Sequence, residues 1–300
     1  MIRRREFITL LGGAAAWPVV ARAQQGDRAR GALMSLDEND PEAKRRYSAF
    51  TQALAGLGWA EGRDVRMNLR SHGDDANQIR ALAQELVDLQ PDIILASSTA
   101  ATVALQRETR TIPIVFANAG DPVASGIVPR LNQPGGNITG FAGLQPSLGG
   151  KWLEVLSEIA PGLKRAAIMF NPDFPASVYV PSFEAAARSL KVEPIIAPFH
   201  GGEEIETAIV ALGREPGAGL VVVGDAFTLT HRAAIISAAA RNNVPAVYGD
   251  SVFTRDGGLL SYGVDGVDIT RRAATYVDRI LRARSRAISR CSSRPSSRWS

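Results

Sequence analysis

"PDIILASSTAATVALQRETRTIPIVFANA" (91–119) decides how the rest of the chain is read. The run "DIILA" (92–96), apolar from Ile93 onward, is followed at once by Ser97, Ser98 and Thr99, then by a helical pattern over 99–109, then by the largely apolar "IPIVFANA" (112–119). Strand, hydroxyl-rich turn, helix and strand form a parallel βαβ unit, because a parallel neighbour needs a long crossover to bring the chain back across the sheet.

The same grammar extends in both directions. Upstream, "GALMSL" (31–36) reads as a strand and 41–59 as a helix with Phe50, Leu54 and Leu57 on one side. "DVRMNLR" (64–70) is a second strand, and 76–90 a helix whose Ile79, Leu82, Leu86 and Leu89 recur at helical spacing. A short strand, "GNITGFA" (136–142), closes this unit. A second unit alternates likewise: strands at 165–172, 192–198, 219–225, 245–250 and 259–265, and helices at 150–162, 182–190, 203–215, 232–243 and 269–281. The expected fold class is therefore α/β, with two doubly wound parallel-sheet lobes around a ligand cleft. Residues 27–142 plus 260–281 are assigned to the first lobe and 143–259 to the second.

Ligands of such sheets bind beyond the carboxyl ends of the strands and between domains. The residues found there are polar: Ser35 and Asp37, Ser97 to Thr99, Asn118 and Asp121, then Asn171, Asp225, Asp250, Tyr262 and Asp265. Several of them also suit helix N-caps, Ser98, Thr99 and Asp225 above all. As a set they fit a small zwitterion. Backbone N–H groups at the helix start near Ser98 and Thr99 suit a carboxylate, and Asp121, Asp225 or Asp250 suits an ammonium. Tyr248, Phe253 and Tyr262 are candidates to cover an apolar or aromatic group, although aromatics beside strands more often belong to the core.

Catalytic patterns are weak. The single cysteine lies in the last eighteen residues, His72, His200 and His231 are too dispersed for a local zinc motif, and neither a phosphate loop nor a dinucleotide fingerprint occurs. Neither metal nor cofactor is expected. An enzyme using Asp225 and Asp250 as acid and base is the competing reading.

The formal charge of +4 comes from the two ends of the 300-residue chain. Residues 1–23 hold four basic residues and one acid, residues 282–300 hold six arginines and no acid, and the body between them is mildly acidic. The first segment has the form of an export signal. Arg3 to Arg5 precede an apolar stretch from Ile8 to Val20 and small residues at Ala21 and Ala23, and Arg4-Arg5-Glu6-Phe7-Ile8 is similar to a twin-arginine signal. This places the mature body in the periplasm, and a helix-turn-helix repressor reading is disfavoured by the same leader.

Long segments resemble one family, the substrate-binding proteins of ABC-type uptake systems, in the branch that includes tryptophan and tyrosine binders. They are "RRREFITLLGGAAAWP", the stretch from Asp74 to Phe141 containing "TIPIVFANAGDPV" and "NQPGGNITGF", "GGKWLEVLSEIAPGLKRAAIMFNP" and "GGLLSYGVDGVDITRRAATYVDRIL". The resemblance implies a type I periplasmic-binding fold with three crossovers at the hinge, a ligand held by closure of the lobes, delivery to a membrane permease and no chemistry. Carried over by position, the ligand would touch Ser98, Thr99, Asn118, Asp121, Asn171 and Asp225. A monomer is expected, with a sensor or chemoreceptor as the alternative partner to the permease.

The end of the chain departs from that family. Members continue after a helix like 269–281 with a segment resembling "GEKPGDLPVQQPTKFELV", a linker and a last strand. Here "ARSRAISRCSSRPSSRWS" (283–300) stands instead. A permitted choice of codons for 283–298, read two nucleotides later, spells "EKPGDLPVQQPTKFE", and the correspondence ends there. The tail is thus expected to be a frameshifted, disordered extension that leaves a sheet edge of the second lobe unpaired. Its arginines then say nothing about nucleic acid, which is not an expected partner.

Overall fold

The computed structural model describes residues 29–73, 76–143, 145–172 and 175–292. The leader lies outside these residues, as does the tail from 293 onward.

In the first sheet, strands β1 (Ala29–Met34), β2 (Arg66–Ser71), β3 (Ile94–Ala96), β4 (Ile114–Ala119) and β5 (Ile138–Ala142) pair in parallel in the order β2-β1-β3-β4-β5. Alternate side chains of a strand point to opposite faces, and both faces are covered. On one side Ala32, Met34, Leu95 and Val115 pack with Phe50 and Leu54 of α1 (Pro41–Gly56) and with Ile269, Ala273 and Val277 of the C-terminal helix. On the other, Leu33, Ile94, Ile114 and Phe116 pack with Ile79 and Leu86 of α2 (Ala76–Asp88) and with Ala101 and Leu105 of α3 (Thr99–Glu108). A sheet buried on both faces explains why these strands are apolar throughout.

The second sheet is built to the same plan. Strands β6 (Arg165–Phe170), β7 (Glu193–Pro198), β8 (Ala218–Val222), β9 (Ala246–Asp250) and β10 (Leu260–Val264) are parallel, and sequential reading gives β7-β6-β8-β9-β10. One face carries α4 (Leu148–Ile159) and α5 (Val180–Leu190) through Trp152, Leu156 and Phe183. The other carries α6 (Gly202–Gly213) and α8 (Arg232–Arg241) through Ile205, Ile209 and Ile235. Two short helices, α7 (Ala226–Thr230) and α9 (Ser251–Arg255), start directly behind β8 and β9. The last helix, α10, spans Gly266–Ser292.

Two boundaries differ from the sequence reading. The block 260–281, assigned whole to the first lobe, divides: β10 pairs with β9 in the second sheet, and only α10 returns to the first lobe, where it packs on α1. A strand followed within two residues by a helix of the other lobe carries no composition signal at the crossing. The tail from Ala283, expected to be disordered, continues α10 to Ser292 instead. Neither Gly nor Pro interrupts the chain between Val267 and Arg294, so helix propagation has no stop signal there. Arg284 ties this extension to the first lobe by donating to the Asp92 carbonyl oxygen at 2.8 Å. Among the described residues the edge strand β10 pairs with β9 alone, and Tyr262 on it is exposed.

A cleft between two switch points

Both sheets reverse strand direction of winding at equivalent places, between β1 and β3 in the first and between β6 and β8 in the second. The chain leaves the sheet to opposite faces there, which opens a crevice at the strand ends. The two crevices face each other and form one cavity of about 60 Å³. Its walls include Ser35, Ser97, Ser98, Thr99 and Asn118 from the first lobe and Tyr179, Asp225, Leu229 and Asp250 from the second.

In the first lobe the polar groups are hydroxyls with local partners. The Ser35 N–H donates to Ser97 Oγ at 2.8 Å, joining the ends of β1 and β3. Ser98 is the N-cap of α3, its Oγ accepting from Ala101 N–H at 3.1 Å, and Thr99 Oγ1 accepts from Gly120 N–H at 2.8 Å. The free N–H groups and positive end of α3 therefore open on the cleft beside these hydroxyls.

Asn118 sits at the irregularity where the β4–β5 register shifts, with φ +58°. Its Nδ2 donates to the Gly266 carbonyl at 3.3 Å and to Thr270 Oγ1 at 3.1 Å, which fixes the amide orientation. Its buried Oδ1 has no hydrogen-bond partner among the described residues. A cleft-lining acceptor without a donor fits a ligand N–H or O–H.

The second lobe offers a carboxylate. Asp225 follows β8 and caps α7 through a capping box: its Oδ1 accepts from Thr228 N–H at 2.8 Å, and Thr228 Oγ1 receives the Asp225 N–H at 3.1 Å. Its Oδ2 accepts from Asn171 N–H at 3.0 Å, joining the ends of β6 and β8 as Ser97 joins β1 and β3. Burial pushes its pKa up to about 6, partly offset by the N–H groups of Thr228 and Asn171. A positive group in the cleft would reverse that shift.

Asp250 also lines the cleft, but its charge is already engaged. Arg46 of α1, only 2 % exposed, donates from Nε to Glu42 Oε1 at 2.9 Å and from Nη2 to Asp250 Oδ2 at 3.0 Å. Arg255 Nη2 meets the other oxygen of Glu42 at 2.8 Å. Just before α1, its N-cap Asp40 receives two bonds from Arg232, at 2.7 and 3.1 Å, and Arg232 Nε also reaches Asp256 Oδ2 at 2.6 Å. Asp40, Glu42 and Arg46 belong to the first lobe and the other four residues to the second, so these pairs bridge the lobes. Leu36 and Ala43 enter the second lobe's apolar core beside them. Arg46 also lies against Gly266, at the start of α10.

Of the residues named from sequence, Ser98, Thr99, Asn118, Asp225 and Asp250 thus meet in the cleft wall. Asn171 stands directly behind Asp225, and Asp121 caps its own turn by accepting from Val123 and Ala124 N–H, both at 3.0 Å. Tyr262 lies elsewhere. It projects from the edge strand β10 beside α4 and α5, where its carbonyl accepts the Trp152 indole N–H at 2.5 Å. Alternation explains the displacement: one residue of register decides which face a strand side chain joins. Tyr248 and Phe253 stack on each other in the second-lobe core, with ring centroids 4.7 Å apart, and cover no ligand space.

Arg46 and Tyr179 were missed. Glu42 and Arg46 continue the stripe of Phe50 and Leu54 at a spacing of four, so a buried helix face that turns charged at its N-terminal end was the available signal. Tyr179 lies in the turn Pro175–Tyr179 before α5, where no periodicity speaks.

Two similar lobes, joined at β5–α4 and β10–α10, enclose a cavity whose wall mixes hydroxyls and carboxylates with apolar groups, the architecture of a two-lobed binding fold. The sequence profile described as ABC transporter substrate binding protein matches residues 38–287, and the chain belongs to that family of non-enzymatic ABC substrate-binding proteins, which are typically extracytoplasmic. It is 23 % identical over 246 residues to the tyrosine-binding protein of Clostridioides difficile (strain R20291), covering 82 % of this chain and 70 % of that one. Among solved structures, an ABC domain from Streptococcus pneumonia in complex with L-Trp superposes with a TM-score of 0.77 at 19 % identity, covering 85 % of both chains. A conserved domain protein from Vibrio cholerae does so with the same TM-score and coverage at 23 % identity. Among the described residues no helix is long and apolar enough to cross a membrane.

Proposed function

We propose that the protein is the exported solute-binding component of an ABC uptake system and captures a small amino-acid-like zwitterion in this cleft. One observation carries the reading: among the described residues the half-buried Asp225 has no cationic side chain as partner, yet it faces the N-terminus of α3 and the hydroxyls of Ser98 and Thr99 across the cavity. The ligand ammonium meets Asp225, its carboxylate meets the helix start, and Asn118 Oδ1 accepts a remaining ligand proton. The relatives that bind tyrosine and L-Trp support an amino-acid ligand. The leader at 1–23 supports export to the periplasm by a twin-arginine-type route.

Contacts from both lobes favour the closed form only as far as they are lost on opening, and nearly complete closure needs a preference of about 5 kcal/mol. A membrane permease reads the closed form. The test is calorimetric titration of the mature chain with the twenty amino acids and with matched amines and acids lacking one charge. Binding of a zwitterion, lost about 100-fold in Asp225→Asn, is expected; equal affinity for the uncharged-amine analogues overturns the reading.

A further inference from the structure

We propose that Tyr179 sets the size limit of the cleft, so that this protein takes a compact, non-aromatic amino-acid-like ligand. The inference rests on the zwitterion reading above and adds to it the ligand's side-chain class. The cavity holds about 60 Å³, whereas a cavity that accommodates benzene measures about 150 Å³. A phenol or indole needs still more.

The missing space is occupied by the protein itself. Tyr179, only 3 % exposed, comes from the second lobe, and a Cβ at Gly120 of the first lobe would lie 3.6 Å from its hydroxyl. Its ring therefore stands between the lobes. Behind it, Trp152 packs at 5.1 Å between centroids and is itself held by the Tyr262 carbonyl. Trp152 blocks withdrawal of the ring on that side. Leu229, only 4 % exposed, adds a second apolar wall.

Nor can the gap widen cheaply. Arg46–Asp250, Arg255–Glu42 and Arg232–Asp40 all span the lobes at 3.0 Å or less, and Glu42 and Arg46 are buried. Spreading the lobes to admit a ring would strip buried charges of their partners. The cleft thus supplies its own aromatic group and leaves room for a short side chain.

The experiment is a titration of the full chain with glycine, alanine, serine and threonine against phenylalanine, tyrosine and tryptophan, repeated in Tyr179→Ala, Tyr179→Phe, Leu229→Ala and Asp225→Asn. Wild type is expected to bind one of the compact amino acids at least about tenfold more tightly than any aromatic one. Tyr179→Ala should shift that ratio toward the aromatics by a similar factor, and Tyr179→Phe, which keeps the ring, should not. If Tyr179→Ala does not fold, Leu229→Ala provides the same readout. Wild type that prefers an aromatic ligand, with binding still abolished in Asp225→Asn, overturns the size limit while leaving the zwitterion reading intact. Binding of no amino acid at all, or binding indifferent to Asp225→Asn, removes both.

Discussion

The two lobes solve the same geometric problem with different chemistry. At each switch point the first residue after the inner strand, Ser35 or Asn171, donates its N–H to a side chain at the end of the next strand, Ser97 or Asp225. In the first lobe that acceptor is a neutral hydroxyl, and in the second a carboxylate. The hydroxyl completes the turn and has little left to give. The carboxylate completes the turn too, but carries a charge that the fold does not neutralise. Structural repetition thus places the two lobes face to face, and a single chemical difference gives the cleft its polarity.

The largest effect is expected where the lobes meet. Asp250→Asn removes one of the two carboxylates around the buried Arg46, and breaking such a pair costs about 3–5 kcal/mol. Thermal unfolding should show that loss, and small-angle scattering should show a more open particle. A loss under about 1 kcal/mol would mean that Arg46 is hydrated and that the bridge holds nothing.

Smaller effects separate the switch points themselves. Ser97→Ala leaves the buried Ser35 N–H without its acceptor and should destabilise the fold by about 1–3 kcal/mol, with little change in the pH dependence of stability. Asp225→Asn should do the reverse, changing stability at pH 7 by under about 1 kcal/mol because one lost hydrogen bond is offset by removal of a half-buried charge. Equal behaviour of the two variants in denaturant titrations would erase the distinction between the lobes.

The mildest test is pH. The folded pKa of Asp225, about 6, lies above its ordinary 3.8. Its neutral form therefore contributes stability that is fully present below about 3.8 and is lost as pH rises through about 6. Wild type should lose stability relative to Asp225→Asn across that window. For the proposed zwitterion, binding runs the other way: an ammonium needs the ionised form, so affinity should fall by up to about tenfold per pH unit below 6. Asp40 has the opposite sign. Burial alone would raise its pKa, but the hydrogen bonds and charge of Arg232 prevail and lower it, so the bridge weakens as pH falls into the carboxylate range.

Most of the fold was legible because buried parallel strands and amphipathic helices write different periods. The place of Asp225 in the cleft wall was legible because it directly follows an apolar strand. The limits have physical causes. Tyr262 was misplaced because an edge strand with a shifted register does not announce which face points inward. Asp250 was read as a ligand group because its partner, Arg46, is 204 residues away in sequence. Tyr179 packs through a turn, and turns have no pattern to read. What pairs across the cleft is decided by how two separately legible halves come together.

Gly266 shows how closely that meeting is specified. It opens α10 where the chain crosses from the second lobe to the first, its carbonyl receives the Asn118 amide, and a Cβ there would stand 2.5 Å from Arg46 Cζ. A single added methyl would collide with the guanidinium between Glu42 and Asp250. The crossing and the charged bridge are therefore one mechanical joint. Any side chain at position 266 would therefore disturb the crossing between the lobes and the charged bridge together.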